Sequence, residues 1–220
     1  MLVVEQRPAN KRLKSFVTVI GTGQYLPPKQ TLGRIGMYVQ LSKAIDEANF
    51  LAERLYRRRF KNDLRSRVVA ACLAVSQQHH NSILILLSRR PPLEATSFAL
   101  LRPLVESVIR GLWLSHVATD AQVDEYARSG TKLDMASMMK KLDEATGLNS
   151  FKGLYQRSWS VLCAYTHTGE LQIQRWLRTI HVEPQYSEQE TLELIELSGL
   201  TAGLAFQALL EISLDPEDGL

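Results

Sequence analysis

Two cysteines in 220 residues, Cys72 and Cys163, cannot staple a small fold, and each sits inside an apolar helical pattern as a small hydrophobe. That argues against a disulfide-built secreted domain and for a reducing compartment. Long apolar runs are missing too. The run ILILL at residues 83–87 is far short of the ~18 residues a spanning helix needs, and His79, His80, Arg89 and Arg90 flank it. At the N-terminus MLVV precedes the basic NKRLK, the reverse of a signal peptide's order, so a soluble cytoplasmic chain with no membrane partner is expected. A strong charge of one sign is also lacking. With a formal net charge of +3, any case for nucleic acid must come from where the cations sit.

Three common sites are excluded by missing parts. His79 and His80 are adjacent, so on a straight helix they point about 100° apart and cannot share a metal; no Cys or His pair elsewhere has ligand spacing, and no metal or cofactor is expected. Gly21-Thr22-Gly23 follows a strand-like run at 15–20, but Tyr25, Leu26, Pro27 and Pro28 stand where a dinucleotide site needs a helix to start. There is no G-x-S-x-G, and Ser158, Ser160 and His167 have no acidic partner nearby in sequence.

What is present is helical periodicity. The composition, 45% hydrophobic and 22% charged, supports one sizeable core. Residues 34–60 and 63–90 read as two long amphipathic helices forming an antiparallel hairpin, the first on Ile35, Val39, Leu41, Ile45, Ala48, Leu51, Ala52 and Leu55. The second carries Val68, Ala71, Cys72, Val75, His79, Ile83 and Leu86 on one line, with Asp63 as N-cap and Pro91-Pro92 as the stop. Shorter helices are expected at 121–128 and 132–146, the latter with a methionine stripe, Met135, Met138 and Met139, that reads as packing. Ser187 and Glu190 form a capping box for a last helix that is apolar nearly all round, which places it in the core or between two copies of a homodimer. The expected fold is an all-α bundle of about five to seven helices. It has an irregular arm at 1–33, one domain at 34–213 and a frayed tail at 214–220.

The most informative stretch is residues 92–119. Phe98, Leu101, Val105, Val108, Ile109, Leu112 and His116 fall on one face, while Arg102, Glu106 and Arg110, four apart, form a row along its edge closed by Trp113. Charges beside an apolar stripe are half-buried, so their partners matter. The row reads either as a structural ladder docking a neighbouring helix or as an anion binder, since arginine suits phosphate. Pro103 removes one backbone bond and should kink the helix. Its natural partner is 151–169, a helix reaching His167 and ending at Gly169 as the left-handed residue; a histidine there serves as a cap, a phosphate contact or a general acid. A second cationic region, Arg57, Arg58, Arg59, Lys61 and Arg65, reads either as a phosphate-backbone contact for RNA or as a solvated helix end.

The segments RPLVESVIRGLWL and SVLCAYTHTG resemble those of a group of bacterial all-helical proteins with an R-P-x-x-E helix and a later S-x-x-x-x-Y-x-H-x-G-like end. More distantly, the chain is similar to the HEPN superfamily over roughly residues 34–213. That resemblance implies a helical, commonly dimeric protein and metal-independent ribonuclease chemistry of the kind used in toxins and phage defence. HEPN nucleases place an arginine four to six residues before the histidine. Here Arg157 precedes His167 by ten, about 15 Å along a helix and about 80° around it. The arginine would therefore come from the third helix, as Arg102 or Arg110 with Glu106 orienting it. The implied roles are His167 as general acid-base, an arginine on the pentacovalent phosphate, and Tyr165 or Thr166 positioning. The other reading is a non-catalytic binding or assembly module, or the partner subunit of a defence or toxin–antitoxin system.

Overall fold

In the computed structural model, which describes residues 34–129, 133–147, 150–177 and 180–215, each periodic run is a helix. In chain order these are α1 (Arg34–Leu55), α2 (Leu64–Ser88), α3 (Glu94–His116), α4 (Asp120–Ser129), α5 (Met135–Thr146), α6 (Ser150–Thr166), α7 (Glu170–Gln174) and α8 (Glu188–Ile212). The protein is all-helical among the described residues, and the five-residue α7 raises the number above the expected range. The arm at 1–33, with its expected strand, lies outside the described residues.

Local signals set the helix ends. Asp63 caps α2 through its carboxylate, 2.9 Å from the Ser66 N–H, and the Ser187–Glu190 capping box opens α8 with both reciprocal bonds in place. Asp143 does more. Buried on α5, its carboxylate accepts the N–H groups of Phe151 and Lys152 at 3.1 and 2.7 Å, which pins the first turn of α6 to α5.

The core gathers around α3, which packs on α2, α5, α6 and α8. Its closest neighbour is α2. A Cβ added at Gly111 would stand 2.7 Å from Leu73 Cδ2, so a larger residue there would force the buried Leu73 side chain to shift. α1 lies on both α8 and α2, so the expected α1–α2 neighbours do pack together, while α2 makes its most extensive contact with α3. Val39, expected on the inner face of α1, is 60% exposed.

The inward face of α2 is also turned from the expected one. The buried line is Val69, Leu73, Ser76, His80, Ile83, Leu84 and Leu87, while Val75 is exposed. Apolar residues surround much of α2, so periodicity alone did not single out a face; packing against α3 and α8 selects it. His80, not His79, faces the core, against α8 at Gly199.

The methionines Met138 and Met139 are fully buried packing residues. α8 buries a broad face that includes Leu194, Ile195, Ala202, Ala205 and Leu209 within the chain. By length and composition α8 could cross a membrane, but 56% of that stretch is buried inside the protein. The tail expected to fray from 214 is tied at its start, since the Leu214 N–H donates to Arg59 O at 2.8 Å.

Candidate active site

Arg102, Glu106 and Arg110 form the row that their spacing along α3 predicts. Glu106 Oε1 accepts from Arg102 Nε at 2.8 Å, and Oε2 lies 2.9 Å from Arg110 Nη1. The side chains are 21%, 16% and 36% exposed, so the pairs are partly shielded from water and the guanidiniums are held in place. Two cations around one carboxylate leave the row with a surplus positive charge.

The later segment meets this row. Arg102 Nη1 donates to His167 Nε2, so in this contact Nε2 carries no proton and the matching neutral tautomer holds it on Nδ1. His167 itself is exposed. The Arg102 guanidinium also lies over the Trp159 ring, 5.2 Å from its centroid, and Trp159 stacks on Tyr155 at 5.5 Å with an interplanar angle of 21°.

Pro103 takes part through the N–H it lacks. The helix runs through it unbroken, and the Ala99 carbonyl is left without its usual partner four residues on. Thr166 Oγ1 donates to that carbonyl at 3.2 Å, sharing its proton with Leu162 O at 2.9 Å. The end of α6 is thereby registered on α3 one residue before His167 and beside Arg102.

The turn that presents His167 differs from expectation. Thr168, at φ 53, takes the left-handed position, and Gly169 follows it, its N–H bonded to Ala164 O at 2.7 Å. Glycine is required at 169 because a Cβ there would stand 2.9 Å from the Ala164 backbone. Tyr165 is also corrected. It is 8% exposed with its ring 5.0 Å from Phe98, which stacks in turn on Tyr186, so it belongs to the core's aromatic cluster. A step of about 100° per residue separates it from His167's side. Trp113, expected to close the row, is likewise buried at 1% exposure; Trp159 flanks the row instead.

On its other side Arg110 looks toward Cys72 and Tyr126, whose Sγ and Oη are 3.7 Å apart. Burial pushes the Cys72 thiol up and the Tyr126 hydroxyl up to about 12, with the Arg110 cation offsetting part of both shifts. Both groups stay protonated near neutral pH.

The expected nucleic-acid contacts are spread over different tasks. Arg59 holds Asp215 through Nε and Nη2 at 3.0 and 2.9 Å, and its backbone N–H is the main cause keeping that carboxyl below its usual range. Arg58 donates to Arg54 O at 3.0 Å and to Ser213 Oγ at 3.4 Å. Arg65 caps the end of α3 at the Leu114 carbonyl and pairs with Asp120 at 2.6 Å. Arg57 lies over the Tyr56 ring at 5.1 Å, and Lys61 is exposed. Among the described residues no group of three His, Cys, Asp or Glu side chains could hold a metal ion.

Compared with known protein families, the chain matches a family model over residues 73–218. The chain belongs to DUF6988, a family of unknown function. The DUF6988 span takes in Arg102, Glu106, Arg110, Trp159 and His167, and it leaves out residues 57–61 and Arg65. Neither a curated protein nor a solved structure matches the chain.

Proposed function

We propose that the protein is a HEPN-like ribonuclease that cleaves RNA through the 2′-hydroxyl without a metal ion, acting as a toxin or defence effector. The observation that carries this reading is the Arg102–His167 contact at the edge of a half-buried cationic row, which puts an exposed imidazole beside arginine N–H groups. Arg110 gives one nitrogen to Glu106 and is 36% exposed, so it can meet a phosphate oxygen. In the reaction His167 Nε2, released from Arg102 by the incoming phosphate, takes the 2′-hydroxyl proton. The 2′-oxygen attacks phosphorus, and the arginines stabilise the charge of the pentacovalent state. The P–O5′ bond breaks, and the departing 5′-oxygen takes the proton back from the His167 imidazolium, leaving a 5′-hydroxyl, a 2′,3′-cyclic phosphate and a neutral His167.

The test is to incubate a single-stranded RNA with the parent protein, His167→Ala, Arg102→Ala and Arg110→Ala in EDTA, and to follow cyclic-phosphate ends. The parent cleaves, and loss of His167 or Arg102 lowers the rate by about 10²–10⁴-fold. Equal cleavage by all four, or none by the parent, overturns the catalytic reading.

A second reading, a non-catalytic binding or assembly module, is favoured by the partners Arg102 has within the chain. Its Nε, its Nη1 and its planar face are all occupied inside the chain, by Glu106, His167 and Trp159. On that reading the row serves to lock α6 onto α3.

A further inference from the structure

We infer that the Trp159–Tyr155 pair is a stacking platform that restricts the site to unpaired bases; this rests on the RNA reading above. The two rings stand one helical turn apart on α6, nearly parallel, and both residues are only half-buried. The run starts at the cation. The Arg102 guanidinium covers Trp159, and Tyr155 extends the stack away from it. A nucleotide whose phosphate meets the row would have its neighbouring base placed over aromatic carbon.

On their inner side both rings pack against the core. The pair also abuts the row of Arg102, Glu106 and Arg110 with its surplus positive charge. Cationic groups next to stacked aromatic rings are what single-stranded nucleic acid requires, because every base has a π face but only an unpaired base can leave its stack. A duplex would present phosphates to the arginines while keeping its bases from Trp159 and Tyr155. The platform therefore adds selectivity for strand state, not for sequence.

The experiment is a fluorescence anisotropy titration at low salt with a labelled 12-nucleotide 2′-O-methyl RNA, which cannot be cleaved through the 2′-oxygen, and with its blunt duplex. The parent binds the single strand at least about tenfold more tightly than the duplex, and Tyr155→Ala and Trp159→Ala weaken single-strand binding by about 5- to 100-fold with little change for the duplex. Trp159→Phe stays within about threefold of the parent, and Arg110→Ala weakens both probes alike. Because Trp159 also supports Arg102, Tyr155 is the sharper probe; Tyr155→Leu keeps its apolar packing and serves if the alanine variant melts early. If the parent binds RNA but Tyr155→Leu and Trp159→Ala bind the single strand as it does, or the duplex binds equally well, the platform is overturned and the phosphate site stands. If the parent binds neither probe, the RNA reading falls and takes the platform with it.

Discussion

Glu106→Ala will lower the unfolding free energy by about 3 kcal/mol, a fall in Tm of roughly 6–12 °C for a domain of this size. The carboxylate is 16% exposed and accepts from two guanidiniums, at 2.8 and 2.9 Å. Removing it leaves Arg102 and Arg110 half-buried, close together and without a counter-charge. Breaking a fully buried pair costs about 3–5 kcal/mol, and partial exposure of both arginines places this site at the low end. Glu106→Gln, which keeps the volume and one acceptor, should lose about half as much, and added sulfate should restore part of the alanine loss. A thermal melt within about 1 °C of the parent for Glu106→Ala would show that the row contributes nothing to the fold.

Acidification will destabilise the protein by up to about 3 kcal/mol between pH 7 and pH 4, chiefly through His80. This imidazole is 3% exposed with Nδ1 unpartnered, and burial pushes it down to about 4 from an ordinary value of 6.5. In that interval the unfolded chain binds a proton that the folded chain refuses. Stability is therefore whole above pH 6.5 and falls as pH drops toward 4. Half-buried His79 is lowered by burial in the same direction and adds a smaller share. The lowered carboxyls of Asp63, Asp134, Glu190 and Asp215 lose their contribution only at more acid pH. Urea midpoints across this range should show a steep fall for the parent and a markedly flatter one for His80→Gln; parallel profiles would remove His80 as the cause.

Much of the candidate site was legible because its signals are local. Spacing of four put Arg102, Glu106 and Arg110 on one edge, and a histidine just past a helix end was free to swing toward them. Asp63 and the Ser187–Glu190 pair could be read as caps because a cap depends on three or four consecutive residues. The rest depends on which helix meets which. Trp113 and Trp159 are both aromatic residues near the row in sequence or space, and only the docking of α6 on α3 decides that the second covers Arg102. Likewise the segment 57–65 reads as one cationic run, while the chain's own Asp215 and Asp120 and the end of α3 take up Arg59 and Arg65 from distant positions. Thr168 in the left-handed region could not be anticipated, because glycine one residue later is the commoner choice; the approach of Gly169 to the Ala164 backbone claims that glycine for another purpose.

The central claim is that Arg102 and His167 act as one unit on a phosphodiester. A double-mutant cycle on RNA cleavage tests it most directly, using the parent, Arg102→Ala, His167→Ala and the double variant at equal protein concentration. A unit predicts strong non-additivity, with the double variant no slower than the worse single variant. Multiplication of the two single losses, or RNA left intact by the parent, would contradict it.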